Sequence, residues 1–461
     1  MRALLVSTYD LGRQPFGLAS PAAWLRRAGV HVDCADTSRE PLDDDRIAAA
    51  SMVAFYLPMH TATRMAAALI ERVRRVNPTA RLCAYGLYAP LNAGWLRGRG
   101  IHDVLGPEAE EDLVRLAGES GASLRGPQGS APHHAGLAPH LARLAFITPD
   151  RSSLSALDQY ASLQMPDGSL RVMGSTDATR GCKHLCRHCP IVPVYQGQFR
   201  VVPIDVVIDD IRAQVAAGAQ HISFGDPDFL NGPTHAGRLV ERFAREFPGV
   251  TYDATIKIEH LLDHADMLAV LRDTGCLFIT SAVESIDDEM LVKLRKGHTR
   301  ADFGWAVALC RQAGIRLTPT FIPFTPWTTL EGYVELLDEL SALDLVEDVA
   351  PIQLAIRLLV TAESPLLELP DITRCVQPFD PTSLTWPWRH PDARVDALHE
   401  AVMRVVRDRS SAPRADVFDA IAGLARESLG LSSVPRLHGE STAGPRVTEP
   451  WYCCAEPMEQ F

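Results

Sequence analysis

Three cysteines lie close together in the middle of the chain, at spacings that suit the binding of one metal cluster. The run Arg-Gly-Cys-Lys-His-Leu-Cys-Arg-His-Cys-Pro at residues 180–190 places Cys182, Cys186 and Cys189 on one short loop. Thiolates are typical ligands of iron–sulfur clusters, and three of them can hold three irons of a cubane while the fourth iron stays open. We therefore predict a 4Fe-4S cluster on these three residues.

A structural zinc site is the nearest alternative interpretation of the same loop. Zinc in such sites takes four ligands, usually as two pairs that lie far apart in the sequence. The chain has no suitably placed second pair, but His184 or His188 could supply a fourth ligand. Lys183 and Arg187 are predicted to favour the deprotonated form of the neighbouring thiols.

Two adjacent cysteines, Cys453 and Cys454, lie close to the C-terminus. Neighbouring Cα atoms are about 3.8 Å apart, which is short for a disulfide. Two such thiols can instead bind one thiophilic centre from the same side, and a tail that carries them could fold over a barrel mouth. The alternative is a frayed tail with two incidental cysteines. The other five cysteines are scattered and are interpreted as small buried hydrophobic residues, namely Cys34, Cys83, Cys276, Cys310 and Cys375.

The elements that position these cysteines follow an α/β pattern. Residues 1–118 alternate buried strands, at 4–6, 53–57 and 82–85, with amphipathic helices at 22–28 and 64–75, which predicts a flavodoxin-like or Rossmann-like domain. Residues 119–170 begin with a stretch rich in Gly, Ser, Pro and Ala and are assigned to a linker.

From residue 171 to 365 the alternation of strand and helix resumes. About six such units predict a partial (β/α)6 barrel with its functional groups at the carboxyl ends of the strands. Residues 366–461 lose this rhythm and are assigned to a C-terminal extension. The predicted barrel strands lie at residues 221–224, 252–256, 278–280, 316–321 and 352–359, and predicted helices lie at 205–217, 330–343 and 393–407.

Composition and charge exclude several classes of function. The 461 residues are 46% hydrophobic and 22% charged, as in globular proteins rather than disordered or fibrous ones. The formal net charge of −12 offers no basic surface for nucleic acid or for anionic lipid. Because no apolar run has the length of a membrane span and the N-terminus lacks a secretion signal, we expect a cytoplasmic protein.

The cysteine triplet and the motifs after it resemble the radical S-adenosylmethionine (SAM) superfamily, whose signature is a Cys-x3-Cys-x2-Cys loop after the first barrel strand. The resemblance covers roughly residues 171–364 and implies reductive cleavage of SAM at the cluster, with an electron donor such as flavodoxin or ferredoxin. Gly225 and Asp226 are similar to the glycine-rich segment that contacts the SAM amino group. Glu284 and Ser285, followed by Lys-Gly-His-Thr at 296–299, are similar to segments that contact the ribose or methionine end.

The same resemblance assigns two further residues to cofactor binding. Glu259 is one of them, and Ile322 falls where the family packs the adenine. His188 departs from the family pattern, which usually has an apolar aromatic residue before the third cysteine. Glu284 has a second interpretation from its local sequence, in which it caps the following helix through Asp287.

A flavodoxin-like domain ahead of such a barrel resembles the cobalamin-binding members of the superfamily. These carry a cobalt-ligating His after the first strand, whereas residues 7–12 here read Ser-Thr-Tyr-Asp-Leu-Gly. Two interpretations stay open: the domain binds cobalamin without a protein ligand, or it is a scaffold that has lost the cofactor.

The ending Cys-Cys-Ala-Glu-Pro at residues 453–457 resembles a radical SAM family that finishes in this motif. The resemblance implies arsinothricin-type biosynthesis, in which the 3-amino-3-carboxypropyl group of SAM moves to trivalent arsenic. Cys453 and Cys454 would then be catalytic residues that present the thiophilic arsenic. Two alternatives stay open: a radical SAM enzyme that acts on another small molecule through an adenosyl radical, and a non-catalytic sensor or carrier of a soft metal or metalloid.

Overall fold

The computed structural model describes residues 1–120, 144–432 and 443–449. The strands are β1 (Arg2–Ser7), β2 (His31–Asp36), β3 (Met52–Tyr56), β4 (Arg81–Tyr85), β5 (Asp103–Val104), β6 (Ser162–Gln164), β7 (Leu170–Thr176), β8 (Thr179–Gly181), β9 (Phe199–Val201), β10 (His221–Phe224), β11 (Thr251–Thr255), β12 (Cys276–Glu284), β13 (Arg316–Phe321) and β14 (Arg446–Val447). The α-helices are α1 (Phe16–Arg27), α2 (Asp44–Ala49), α3 (His60–Val76), α4 (Tyr88–Leu91), α5 (Ala93–Gly98), α6 (Glu110–Ser120), α7 (Ile191–Tyr195), α8 (Ile204–Ala216), α9 (Pro233–Glu246), α10 (Ile258–Asp263), α11 (Met267–Asp273), α12 (Asp288–Leu294), α13 (Arg300–Ala313), α14 (Leu330–Ala342), α15 (Pro370–Cys375), α16 (Ala393–Asp408) and α17 (Arg414–Ser428). Short 3-10 helices lie at Leu157–Gln159, Phe229–Asn231, Pro351–Leu354 and Pro365–Glu368.

The N-terminal sheet is parallel and has the strand order β2-β1-β3-β4-β5, which is the flavodoxin-like order. Its strands are buried on both faces because α1 and α6 cover one side and α2 to α5 cover the other. On one side Leu18 packs with Leu5 and Leu113, while on the other Ile70 packs with Leu4. The predicted α/β fold class of this region is confirmed.

The second sheet is a half-barrel built from five parallel strands in the order β13-β12-β11-β10-β7. Each strand points alternate side chains outward against helices and inward toward the barrel interior. In β13, Leu317 and Phe321 join the outer hydrophobic core, whereas Thr318 lines an inner cavity together with Thr280 and Asp253. The polar interior and the apolar exterior explain why the strand pattern could be recognised in the sequence.

The prediction of a barrel strand at residues 352–359 is wrong. The chain instead forms the 3-10 helix Pro351–Leu354 and then makes one bridge to the sheet, between Phe324 and Arg357. The side chain of Gln353 accepts a hydrogen bond from the amide of Phe321 at 3.1 Å, in the place where a strand carbonyl would otherwise bond. A short hydrophobic run predicts a buried strand, but a 3-10 turn can bury the same residues, and the sequence pattern does not distinguish the two.

Part of the segment predicted as a linker belongs to the barrel sheet. Strand β6 pairs antiparallel with β7, and β14 pairs antiparallel with β6. Two antiparallel steps make β14 run in the same direction as β7, toward the carboxyl ends of the barrel strands. Arg151, from the same segment, forms an ion pair with Asp210 of α8, and both side chains are almost fully buried.

A second buried ion pair joins the N-terminal domain to the start of the cysteine loop. Arg180 in β8 contacts Glu110 of α6 at 2.7 Å, and Ser20 of α1 bonds to both residues. Val194 and Tyr195, just after the loop, pack into the core of the N-terminal domain. The domain therefore holds both ends of the cysteine loop. Among the residues described, no helix has the length and apolar character of a membrane span.

Candidate cluster and cofactor site

The three predicted cluster ligands lie on a loop fixed at its base by a short β-hairpin. Cys182 follows β8, and its amide donates a hydrogen bond to the carbonyl of Gln198 at 3.2 Å beside β9. Gly181 has a φ of +80°, and a Cβ there would lie 2.4 Å from the Tyr195 ring, so a glycine is required. The amide of Cys189 donates to the carbonyl of Cys186 at 3.1 Å, and the chain then enters α7.

None of the three cysteines is in a disulfide, and the donor set fits an iron–sulfur cluster better than one zinc ion. Sulfurs that share a tetrahedral zinc lie about 4 Å apart, since each Zn–S bond is ~2.3 Å. These three residues do not form such a group, alone or with His184 or His188. A wider separation of the sulfur atoms is what three irons of a cubane require.

Lys257 and Lys296 are cations that act on the thiols, as does the backbone amide of His184, whereas the predicted contribution of Lys183 and Arg187 stays a prediction. Lys183 is exposed, and the Arg187 guanidinium donates to the carbonyl of Lys293. Burial raises the pKa of the Cys182 thiol to about 11, while the charge of Lys257 acts to lower it. Lys296 is buried and interacts with Cys186 and Cys189. Two lysines from separate loops therefore favour the thiolates that a cluster needs.

Glu284 lies at the end of β12 in an ionic group that includes the loop. Its carboxylate is 3.1 Å from His188 Nε2 and 3.4 Å from Lys296 Nζ, and all three side chains are buried. Burial acts to raise the pKa of Glu284, but Lys296 and His188 hold it at about 2, so the residue is ionised. Its φ of +71° is unusual for a residue with a Cβ and marks a local strain at this strand end. Asp287, rather than Glu284, caps α12.

The residues after β10 differ in what their side chains contact. A Cβ on Gly225 would lie 2.4 Å from the Asp177 carboxylate, so the glycine permits a close approach. Asp226 accepts hydrogen bonds from the amide of Ala178 at 2.9 Å and from the hydroxyl of Thr179 at 2.6 Å. Both oxygens of Asp226 thus fix the strand before the cysteine loop, and its contact with SAM stays a prediction. Burial raises the pKa of Asp226 to about 7.

Glu259, after β11, lies beside the Lys-Gly-His-Thr turn. Its Oε2 is 2.6 Å from Lys257 Nζ, and a Cβ on Gly297 would lie 2.6 Å from the same oxygen. His298 is buried, and neither of its ring nitrogens has a hydrogen-bond partner. Burial and the charge of Lys296 lower the pKa of His298 to about 4, which keeps the imidazole neutral. A neutral ring with two open nitrogens is suited to bonding a ligand.

The last two predicted cofactor residues lie at the rim of the same region. Ser285 is nearly buried and accepts a hydrogen bond from the amide of Asp287 at 2.9 Å, so its hydroxyl stabilises the turn before α12. Ile322 is buried and lines a small cavity with His188, Arg357 and Tyr88 of the N-terminal domain. The site therefore opens toward the interface between the two sheets.

The tail cysteines Cys453 and Cys454 lie outside the described residues. The chain is described up to Glu449, whose carboxylate accepts a hydrogen bond from the Tyr9 hydroxyl at 3.2 Å. Glu449 also approaches Gly12 and lines the inner barrel cavity with Asp253 and Thr280.

The loop after β1 does not fit side-chain ligation of cobalamin. Residues 7–12 contain no imidazole, and the hydroxyl of Thr8 donates to the carbonyl of Ala62. Beside α1, the Tyr85 hydroxyl donates to the carbonyl of Gly17, and a Cβ on Gly17 would lie 2.2 Å from the Tyr56 ring. Two aromatic rings of the N-terminal sheet therefore pack against the start of α1.

Two residues near the cysteine loop, Lys257 and His260, were not identified from the sequence. Lys296 was identified as part of the Lys-Gly-His-Thr segment, but its interaction with the thiols was not. Lys257 and His260 come directly after a strand that the sequence did predict. Polar residues that follow parallel strands meet at one edge of the sheet, and this rule could have found them.

Comparison with known proteins agrees with this geometry. The family model described as the radical SAM superfamily matches residues 177–340. A ribosomal protein uS12 methylthiotransferase, RimO, from Parabacteroides distasonis is 29% identical over 171 residues, which cover 34% of this chain and 38% of that protein. A bacteriochlorophyllide d C-12(1)-methyltransferase from Chlorobaculum tepidum is 30% identical over 126 residues, or 27% of each chain. The chain thus spans well under half the length of these relatives.

Two solved structures share the fold across most of the chain. The cobalamin-dependent SAM radical enzyme OxsB, with aqua-cobalamin bound, aligns with a TM-score of 0.71 at 14% identity, covering 95% of this chain and 74% of that one. The radical SAM methyltransferase TsrM from Kitasatospora setae, with tryptophan and a SAM analogue bound, gives 0.62 at 20% identity, covering 74% and 71%. At these identities the likeness concerns the fold.

Proposed function

We propose that this chain, which carries a radical SAM domain over residues 177–340, cleaves SAM reductively at a 4Fe-4S cluster held by Cys182, Cys186 and Cys189. The observation that carries the proposal is the position of three cysteines, none of them in a disulfide, on one loop beside the buried ammonium groups of Lys257 and Lys296. A cluster bound there supplies the electron that breaks a C–S bond of SAM.

The chain's own residues hold and orient the reactants. Lys257 and Lys296 offset the negative charge of the thiolates. Glu259 and the ionised Glu284 offer acceptors to an amino group or to ribose hydroxyls, and the neutral His298 offers a donor and an acceptor. Fixed polar groups in a buried site orient a bound ligand at low reorganisation cost.

The specific reaction that we propose is transfer of the 3-amino-3-carboxypropyl group of SAM to trivalent arsenic, which Cys453 and Cys454 deliver. The direction of β14 supports this proposal, because it leads the chain toward the carboxyl ends of the barrel strands. Cys453 is four residues beyond Glu449, and four extended residues reach about 14 Å. Vicinal thiols are suited to binding trivalent arsenic, which is thiophilic. An electron donor such as flavodoxin or ferredoxin would be the protein partner.

A second candidate is radical chemistry on a different small molecule, with or without cobalamin. It is favoured by the fold shared with OxsB, a cobalamin-dependent enzyme, over 95% of the chain. Residues 7–12 contain no histidine, which argues against ligation of that cofactor by a side chain of this loop.

Anaerobic reconstitution tests the general proposal. We expect about four irons per chain and loss of SAM that depends on dithionite. A protein that binds arsenite but takes up no iron and leaves SAM intact would be a carrier or sensor, and the enzyme proposal would fail.

Product analysis from labelled SAM tests the specific reaction. Transfer of the aminocarboxypropyl group leaves 5′-methylthioadenosine, whereas cleavage on the other side of sulfur gives 5′-deoxyadenosine. We expect methylthioadenosine and an organoarsenical product when arsenite is present. Deoxyadenosine as the sole nucleoside product would favour the second candidate.

Tail variants test the role of Cys453 and Cys454. In Cys453→Ser, Cys454→Ser and the double variant, we expect normal iron content and basal SAM cleavage but loss of arsenite affinity and product. Each single variant should lose nearly as much arsenite affinity as the double variant, because chelation of arsenic requires both thiols. Cys375→Ser, on α15, is the matched control and should keep full affinity. Unchanged affinity and product in the double variant would refute delivery by the tail.

A further inference from the structure

Three buried polar atoms beside the cysteine loop face one another at ion-pair distances but outside good hydrogen-bond geometry. They are His184 Nε2, Asp228 Oδ2 and His260 Nδ1, and each lacks a partner of acceptable geometry. Asp228 Oδ2 is 2.7 Å from His260 Nδ1 and 3.3 Å from His184 Nε2, and the three atoms lie within 4.8 Å of one another. The Asp228 and His260 side chains are each 2% exposed, and that of His184 is 12% exposed.

A neighbouring pair of the same residue types shows how the barrel treats a structural histidine. His221 in β10 is fully buried, with Nε2 bonded to Asp253 at 2.9 Å and Nδ1 bonded to the Thr251 hydroxyl at 2.8 Å. Both ring nitrogens of His221 are therefore satisfied. The contrast singles out the three residues near the cysteine loop, because their facing atoms lie close together without hydrogen bonds of good geometry.

The spacing of the three atoms is that of donors to one ion. Two ligands at ~2.0–2.2 Å from a tetrahedral or octahedral metal lie about 3 Å apart, and the two shorter separations here are close to that value. The other oxygen of Asp228 accepts a hydrogen bond from the amide of Leu230 at 3.2 Å, which aims Oδ2 at the two imidazoles.

We propose that His184, Asp228 and His260 bind one divalent transition-metal ion in addition to the cluster. Two imidazoles and one carboxylate suit Zn²⁺ or Fe²⁺, and three protein ligands leave positions open for water or for a substrate atom. In the structure His184 Nδ1 accepts a hydrogen bond from Lys257 Nζ at 3.2 Å, and Glu259 Oε2 lies 3.6 Å from the same nitrogen. A metal bound at Nε2 would place the ring proton on Nδ1, and a small shift would bring that proton to the Glu259 carboxylate. Lys257 contacts both groups and holds the Glu259 carboxylate in place.

The three ligands come from three consecutive connections at the barrel mouth. His184 is on the cysteine loop, Asp228 follows β10 and His260 is in α10 after β11. One ion would therefore join the cysteine loop to the next two loops. The proposal does not rest on the chemistry proposed for SAM.

Metal analysis of the full chain tests the site. All samples carry Cys453→Ser and Cys454→Ser, so that the tail binds no metal through thiols. All samples are also reconstituted with iron and sulfide, so that the cluster occupies Cys182, Cys186 and Cys189. Each is then given two equivalents of Zn²⁺, desalted and measured for iron and zinc. We expect about four irons and one zinc per chain, since zinc outcompetes Fe²⁺ at such sites.

Two ligand variants and one matched control decide the result. Asp228→Asn and His260→Gln should retain four irons while zinc falls at least about tenfold. His264→Gln should keep one zinc, because His264 lies near His260 but contributes no atom to the group. If Asp228→Asn does not fold, as judged by thermal melting, His260→Gln decides alone. No zinc in the parent, or equal zinc in parent and ligand variants, would overturn the proposal in favour of a purely structural His–Asp–His contact.

Discussion

The two parallel sheets present carboxyl edges of the same kind, but they use their polar groups differently. At the N-terminal edge, the hydroxyls of Thr8, Tyr9 and Tyr85 all bond to other groups of the chain. At the barrel edge, His298 leaves both ring nitrogens unbonded, and the three cysteines of the loop are not in disulfides.

Topology predicts a ligand site at both edges, since open α/β sheets bind ligands beyond the carboxyl ends of their strands. Side chains rather than topology therefore decide how many groups each edge retains for a ligand, and at the N-terminal edge Ser7 Oγ is a buried atom that remains unbonded. The N-terminal domain instead contacts the barrel, above all through the buried pair of Arg180 and Glu110. Its expected contribution is to hold the cysteine loop.

The sharpest test of this contrast is Cys186→Ala at the barrel edge. We expect iron content to fall and SAM cleavage to become undetectable, because three thiolates are needed to hold the cubane. The melting temperature of the cluster-free proteins should be nearly unchanged, since the loop lies at the barrel mouth and outside the core. Cys375→Ala is the control and should behave as the parent. Four irons and full cleavage in Cys186→Ala would disprove the assignment.

The next largest effect should come from the contact between the two regions, in Glu110→Ala. Arg180 would lose its closest carboxylate and keep the Ser20 hydroxyl and the more distant charge of Asp177, so the free energy of unfolding should fall by up to about 3–5 kcal/mol. We expect a lower melting temperature and faster loss of iron, as the base of the cysteine loop loosens. The control is Glu119→Ala on the same helix, whose ion pair with Arg81 is exposed and should contribute less than about 1 kcal/mol. Equal melting temperatures for the two variants would contradict this role.

A smaller effect is expected from Asp10→Asn at the N-terminal edge. Burial raises the pKa of Asp10 to about 7, and the folded state therefore binds its proton more tightly than the unfolded state. Between about pH 4 and pH 7 the parent loses stability as pH rises, and the asparagine variant avoids this loss. We expect the two melting temperatures to be similar near pH 4.5 and the variant to melt about 4 °C higher at pH 8, because this pKa shift corresponds to about 4 kcal/mol. A constant difference across this range would show that Asp10 titrates normally.

The smallest effect is predicted for the presence or absence of cobalamin, measured as the rate of SAM cleavage. Because the loop after β1 offers no imidazole and the Thr8 hydroxyl bonds within the chain, protein made in cobalamin-free cells should cleave SAM at the parent rate. Adding cobalamin should leave the rate unchanged within about twofold and should produce no cobalt–histidine absorption shift. Strict dependence on added cobalamin would show that the N-terminal edge is also a cofactor site.

Local sequence patterns were sufficient for most of the elements around the site. The strands at 221–224 and 316–321 have the predicted limits, because apolar and polar residues alternate clearly there. The cysteine loop was recognised from spacing alone. The fold class follows from the same alternation of strands and helices.

Contacts between distant segments could not be derived in this way. Lys183 and Arg187 were adjacent to the cysteines and were therefore expected to act on them, whereas Lys257 and Lys296 reach the thiols from other loops. Strand β14 has only two residues, too few for any periodic pattern, and its pairing depends on β6.

The position of β14 has a further consequence for the solubility of shortened chains. Strand β6 would be the outermost strand of the barrel sheet if β14 were removed, and its unpaired amides and carbonyls could then pair with another molecule. Strand β14 covers this edge, and with only two residues it is too short to pair stably with a strand of another molecule. Removing the chain after residue 442 should therefore promote aggregation, whereas removing it after Glu449 leaves the edge covered.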